Sequence, residues 1–83
     1  MTEFYVKLQS IQDVKHFVTT ASMLRADIDV ISGRYTVDGK SILGLCSLDL
    51  DKPVMVRVYG EEADGTEFRS CMEHMCTEAP KEF

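Results

Sequence analysis

Residues 28–37 read IDVISGRYTV, and this stretch decides the fold. Branched and aromatic side chains on both sides of a Ser-Gly pair are typical of two short strands joined by a tight turn. The sequence therefore predicts strands at residues 28–31 and 34–37, with Gly33 supplying the positive φ that such a turn requires. A second turn at Asp38-Gly39 ends this antiparallel hairpin.

Two further strands and a helix are predicted around the hairpin. Residues 3–8 alternate in polarity, and residues 54–59 are the clearest strand in the chain. Ser10, with Asp13 three residues on, is typical of a helix N-terminus, and we expect this helix to run to about Arg25. Its apolar stripe comprises Ile11, Val14, Phe17, Val18, Ala21 and Leu24.

The second half of the chain adds two more helical segments. Residues 41–48 predict one or two turns that begin at Ser41. Residues 64–67 resemble a cap before a last helix, whose stripe comprises Phe68, Cys71, Met72 and Met75. The order β-α-β-β-α-β-α predicts an α+β domain over residues 1–76, with helices on one face of a four-stranded, mainly antiparallel sheet. Residues 77–83 are expected to form a flexible tail.

Composition limits the possible partners and compartment. The chain of 83 residues has a net charge of −5, which argues against a protein that binds nucleic-acid phosphates without sequence specificity. No apolar run is long enough to span a membrane, no secretion signal is visible, and three cysteines are an odd number. We therefore expect a cytoplasmic protein with reduced thiols and no membrane insertion.

The charge is distributed unevenly along the chain. Residues 1–59 carry seven acidic and seven basic side chains, so that this part is neutral. Residues 60–83 carry seven acidic side chains against two basic ones, and the whole excess belongs to this segment.

Residues 37–48, VDGKSILGLCSL, resemble the HPr family of small phosphocarrier proteins from the bacterial sugar phosphotransferase system, around the family's regulatory serine. Residues 22–30, SMLRADIDV, are similar to the end of the family's first helix and its second strand. The resemblance extends to about Met75 and implies the family's open-faced β-sandwich. It also implies protein partners such as HPr kinase, a transcriptional regulator or an enzyme of the phosphotransferase system, and no cofactor.

The family's carrier motif, Gly-x-His-Ala-Arg-Pro, is missing from this chain. Alignment without gaps places Ser10 at the position of the phosphorylated His, Gln12 at that of the Arg and Asp13 at that of the Pro. A serine phosphoester is a poor phosphoryl donor, and loss of the Arg removes a bidentate cation for the phosphoryl oxygens. The resemblance thus indicates a relative without carrier activity, similar in kind to the Crh subgroup, which regulates carbon catabolite repression.

Ser41 is the candidate for regulatory phosphorylation, because the resemblance places it at the serine that a dedicated kinase modifies. Its simpler interpretation is a plain N-cap. Ile42, Leu43 and Cys46 match positions at which the family contacts its partners, and Lys40 lies beside Ser41. We expect these four neighbours to form a partner-binding surface whose charge a phosphate on Ser41 would change.

Two alternatives remain open. One is an active phosphocarrier with His16 as an atypical acceptor, although six helical residues place it about 9 Å beyond Ser10. The other is a metal or thiol module at Cys71, His74 and Cys76, whose spacing matches no established four-ligand metal site. A histidine at a helix boundary and incidental thiols on a helix are the simpler interpretations, so no metal site is assigned.

Overall fold

An antiparallel sheet forms one layer of the computed structural model, which describes residues 1–79. Three helices accompany the sheet, and none in the described range is long and apolar enough to cross a membrane. The elements are β1 (Thr2–Val6), α1 (Ile11–Ser22), β2 (Ile28–Ser32), β3 (Tyr35–Asp38), α2 (Ile42–Cys46), β4 (Val54–Val58), α3 (Glu62–Cys71), a 3₁₀ turn (Glu73–Met75) and β5 (Cys76–Thr77).

The sheet runs in the order β3-β2-β4-β1-β5, and every neighbouring pair is antiparallel. Phe4, Val56 and Val30 lie side by side across the three central strands and are buried. Because side chains alternate along a strand, this row and its second neighbours give the sheet one apolar face. The helices pack on that face, which confirms the predicted α+β class with helices on one side.

Phe68 of α3 links the helical layer to the sheet. Its ring lies 5.2 Å from that of Phe17 in α1, nearly edge-to-face, and 6.1 Å from that of Phe4 in β1, measured between centroids. All three rings are buried, and Ala21, Leu45 and Met72 belong to the same core. Aromatic pairs in such inclined geometries contribute about 0.5 to 1.5 kcal/mol beyond their burial.

The opposite face of the sheet carries polar pairs. Arg57 donates a hydrogen bond to a carboxylate oxygen of Glu3 at 2.7 Å, and the Tyr59 hydroxyl donates to Asp29 at 2.9 Å. These side chains lie on adjacent strands, β1, β4 and β2, or directly after β4. Hydrogen bonding to Tyr59 and then to Glu3 raises the pKa of Arg57 above its usual value.

The hairpin is confirmed, with Gly33 at φ 59 between β2 and β3. Strand β2 extends one residue past its predicted end, to Ser32, and β3 is shifted by one residue, to Tyr35–Asp38. At the other end, the Gly39 N–H donates to the Ile28 carbonyl at 2.7 Å, and a Cβ atom at Gly39 would overlap the Ile28 side chain. The second turn therefore requires its glycine for a close approach.

Within residues 1–79 the sheet has five strands instead of the predicted four. The Lys7 N–H donates to the Met75 carbonyl at 2.8 Å, and the chain continues so that Cys76 pairs with Val6 and Thr77 with Tyr5. Thr77, which the sequence placed in the tail, is therefore part of β5. Residues 80–83 of the predicted tail lie outside the described residues.

The bounds of α1 and α3 differ from the predictions. Helix α1 ends at Ser22 and not near Arg25, because Tyr59 N–H donates to the Asp27 carbonyl and the chain is extended from Ile28. Helix α3 begins at Glu62, before the predicted cap at residues 64–67. Asp64 lies inside its first turn and accepts a hydrogen bond from the Glu61 N–H at 3.1 Å.

Two members of the predicted apolar stripes are not buried. Ile11 is 55% exposed, because it is the first residue of α1 and lies outside the part of the helix that packs on the core. Cys71 is also exposed at the end of α3, where the chain changes to a 3₁₀ turn that buries Met75 in its place. The remaining stripe residues are buried or pack against the core.

We expect Gly65→Ala to lower the free energy of unfolding. A Cβ atom at Gly65 would overlap the side chain of Thr2, where α3 crosses β1. Overpacking of this kind costs about 1 to 3 kcal/mol, which should outweigh the higher helix propensity of alanine. Urea denaturation followed by circular dichroism measures the change.

Thr66→Ala is the matched control, because Thr66 is the exposed neighbour on the same helix. Its stability should remain within about 0.5 kcal/mol of the parent protein. A Gly65→Ala variant as stable as the Thr66→Ala control would contradict the close approach of α3 to β1.

Candidate functional site

Ser10 caps α1 from an exposed, extended backbone position. Its Oγ accepts a hydrogen bond from the Asp13 N–H at 3.2 Å, and the Asp13 carboxylate accepts one from the Gln9 N–H at 3.0 Å. The chain's own oxygen atoms thus satisfy donors at this helix end. The predicted cap is confirmed.

The electrostatics around Ser10 are unfavourable for a second anion. Asp13 places a carboxylate in the first turn of α1, where it already interacts with the positive end of the helix dipole. Gln12, at the position of the family's Arg, is exposed and neutral. The nearby Lys7 ammonium donates to the backbone carbonyls of Leu50 and Asp51, so it anchors the loop after α2.

Ser41 caps α2 in a similar way. Its backbone is extended, and its Oγ accepts a hydrogen bond from the Gly44 N–H at 3.0 Å. Ser41 is half-buried, and a Cβ atom at Gly44 would lie in tight contact with both Val37 and Ser41. The hydroxyl group therefore has a defined position at the boundary between the hairpin and α2.

Lys40 makes a tertiary contact next to Ser41. Its ammonium donates to the Leu24 carbonyl at 2.7 Å, where it ties the start of α2 to the segment after α1. Its backbone N–H donates to the Asp38 carboxylate at 2.9 Å. The ammonium keeps its charge and two further N–H donors in this position.

The predicted contact residues form an exposed apolar surface on α2. Leu43 is 82% exposed and Ile42 is 38% exposed, while Leu45 on the opposite side is completely buried. Cys46 is exposed at the end of the helix and lines a depression together with Ser10 and Ile11. We call Ile11, Ile42, Leu43 and Cys46 the apolar patch.

Ile11 is the member of the apolar patch that lies on α1. Its place in the α1 stripe suggested burial, but α1 and α2 pack so that Ile11 borders the same depression as Cys46. Its position directly after the N-cap is the sequence feature that indicates exposure, since the first helical residue often lies past the edge of the sheet.

The structure does not assemble the metal module considered at Cys71, His74 and Cys76. Among residues 1–79, no three or more His, Cys, Asp or Glu side chains converge as metal ligands. All three cysteines are free, and Cys76 contacts the Arg69 carbonyl through its sulfur at 4.0 Å. Burial raises the pKa of the Cys76 thiol, which lowers its thiolate fraction and its reactivity.

His16 is exposed on α1, six residues past Ser10 and therefore about 9 Å along the axis from the helix end. Its ring lies beside that of His74 in the 3₁₀ turn and not at the N-terminus of α1. The structure thus separates the alternative acceptor from the helix end at which the family carries its phosphoryl group.

The sequence model of the family described as the PTS HPr component phosphorylation site matches residues 12–78. The match covers most of the described chain. The chain belongs to the HPr family. The matched range of the HPr model includes Ser41 and begins just after Ser10.

A solved HPr structure shows the same fold. The chain is similar to the crystal structure of HPr-C-His from Thermoanaerobacter tengcongensis, with a TM-score of 0.74 and 25% sequence identity. The match covers 89% of each chain. A comparison with curated proteins finds no match. The family and the HPr-like fold are thereby confirmed, and a relation to the phosphotransferase system follows from the family.

Proposed function

We propose that this HPr-family protein is a regulatory interaction protein of carbohydrate metabolism without phosphocarrier activity. Phosphorylation at Ser41 would control how its apolar patch, with Lys40 alongside, binds a protein partner. The partner classes are HPr kinase, a transcriptional regulator and an enzyme of the phosphotransferase system, all acting in the cytoplasm. The observation that carries the proposal is the contrast between the two serine caps.

The Ser10 cap opposes a carrier function. A carrier needs an acceptor that passes its phosphoryl group on, and the phosphoester of a serine is too stable for that task. Asp13 would repel the added phosphate, and Gln12 offers it no positive charge. These two features remove the electrostatic support that an Arg supplies at such a site.

The surroundings of Ser41 are compatible with a stable phosphoester that is not passed on to another protein. In the proposed step, the Ser41 Oγ attacks the γ-phosphorus of ATP, a new P–O bond forms, ADP leaves and the hydroxyl proton passes to the kinase. The product carries about −1.5 to −2 charge beside Ile42 and Leu43. Because residues 1–59 are neutral overall, this charge is a large local change.

The apolar patch supplies the surface that the phosphate would control. Leu43 is more exposed than any other large hydrophobic residue of the described chain. Contiguous exposed apolar side chains mark interaction surfaces in soluble proteins. A phosphate at one end of α2 would exclude an apolar or acidic partner surface and favour a partner that presents arginine side chains.

The direct experiment is incubation of the protein with an HPr kinase and ATP. We expect the label on Ser41 only, so Ser41→Ala should abolish it. Ser47→Ala is the matched control, because Ser47 lies at the other end of α2 and its hydroxyl hydrogen-bonds the Gly44 carbonyl at 2.6 Å. Unlabelled parent protein, or label retained in Ser41→Ala, would refute the proposed modification.

The stability of Ser41→Ala must be measured in parallel. Loss of the cap should lower the free energy of unfolding by about 1 kcal/mol, which leaves the protein folded. Circular dichroism then separates loss of the acceptor from loss of structure.

A second experiment tests the apolar patch. We expect Leu43→Ser to lower the efficiency of Ser41 phosphorylation at least about fivefold, which corresponds to about 1 kcal/mol of lost contact. Tyr35→Ser is the control, because Tyr35 is 71% exposed and begins β3 beside the hairpin turn, outside the apolar patch. Equal effects of the two substitutions would show that α2 is not the docking surface.

A further inference from the structure

Two histidines that are distant in sequence meet on the surface of the protein. His16 belongs to α1 and His74 to the 3₁₀ turn, and their ring centroids lie 5.6 Å apart. The ring planes are inclined by 49°, so the rings are not stacked face to face. The core contacts between α1 and α3 bring these elements together, since the 3₁₀ turn directly follows α3.

Both imidazoles are available to a ligand. Each side chain belongs to an exposed residue. Over residues 1–79, neither ring takes part in a hydrogen bond or an ion pair. Each ring contacts the ring of the other histidine. A neutral imidazole presents one nitrogen lone pair, which is the donor that borderline transition metals prefer.

The separation of the rings suits one shared metal ion. Metal–nitrogen bonds of about 2.1 Å at a tetrahedral angle place the centroids of two imidazoles about 5.2 Å apart. The observed 5.6 Å differs from this value by an amount that small side-chain rotations absorb. The centroid separation is therefore compatible with both rings binding the same ion.

The charge on the His74 side favours a cation, whereas Lys15 directly precedes His16. His74 lies within residues 60–83, the segment that carries the entire charge excess of the chain. Glu73 is the exposed neighbour of His74 on the same turn. Summed negative charge raises the local concentration of divalent cations and so assists their binding.

We propose that His16 and His74 form a two-histidine site for a divalent transition metal ion of the zinc class. One nitrogen of each ring binds the ion, and water completes the coordination, since no group of three or more metal-binding side chains exists within residues 1–79. Such a site binds an exchangeable ion, in contrast to the closed four-ligand sites of structural zinc. It lies apart from the apolar patch and does not depend on the function proposed for Ser41.

Metal binding here would link two elements that are far apart in the chain. Residues 16 and 74 are brought together only in the folded state, so the ion would bind the folded protein and stabilise it. The 3₁₀ turn leads into β5, and the ion would therefore hold the end of the described chain against α1.

Isothermal titration with Zn²⁺ alone on the full-length, reduced protein tests the proposal. We expect one ion per chain, with binding weakened at least about tenfold by either His16→Gln or His74→Gln, because each change leaves a single imidazole. Both side chains are exposed, so these variants should fold normally. A rise in melting temperature with Zn²⁺ should occur in the parent protein and disappear in both variants.

Cys71→Ser is the matched control, since Cys71 is an exposed potential ligand three residues before His74. It should change the affinity less than about twofold. The proposal is wrong if Cys71→Ser abolishes the binding, or if the two His variants bind Zn²⁺ as tightly as the parent protein does. Kinase labelling at Ser41 decides the regulatory proposal separately, because neither His is part of that site.

Discussion

The packing of Phe68 between Phe17 and Phe4 is the contact on which the arrangement of the molecule depends. It fixes α3 against α1 and fixes both helices against β1, so a single apolar face of the sheet is covered. Gly65 permits the necessary approach, since its lack of a side chain leaves room for Thr2. Once these helices are placed, the positions of the surface sites on α1 and on the 3₁₀ turn follow.

Two similar helix caps have different surroundings in this fold. Ser10 and Ser41 both accept a hydrogen bond from the backbone N–H three residues on. Around Ser10, Asp13 adds negative charge and Gln12 adds none of the positive charge that a carrier needs. Around Ser41, an exposed apolar helix surface lies next to the hydroxyl group, where added charge would alter binding.

Much of this fold is predictable from local sequence. Alternating side chains and Gly33 define the hairpin, and both serine caps are recognisable from their position before apolar stripes. The two-residue strand β5 is not predictable in this way, because its existence depends on pairing with Tyr5 and Val6. The exposure of Ile11 is likewise not predictable from its helical stripe, because the packing of α1 against α2 places it beside Cys46.

The site residues also differ in whether local sequence or tertiary structure determines their contacts. Ser41 and the exposed α2 residues follow from a local pattern and a family resemblance, whereas the side-chain bond of Lys40 to Leu24 depends on tertiary structure. The contact between His16 and His74 is also non-local, and no spacing in the sequence indicates it. Sequence therefore predicts which residues start helices, while the fold decides which side chains share a surface.

The central claim is that Ser41 accepts a phosphoryl group and that no residue of this HPr-family chain carries one for onward transfer. The most direct measurement exposes the intact protein in parallel to enzyme I of the phosphotransferase system with phosphoenolpyruvate, and to HPr kinase with ATP, followed by mass spectrometry before and after acid treatment. We predict an acid-stable phosphate on Ser41 from the kinase and no phosphate from enzyme I. An acid-labile phosphate on His16 from enzyme I would contradict the account.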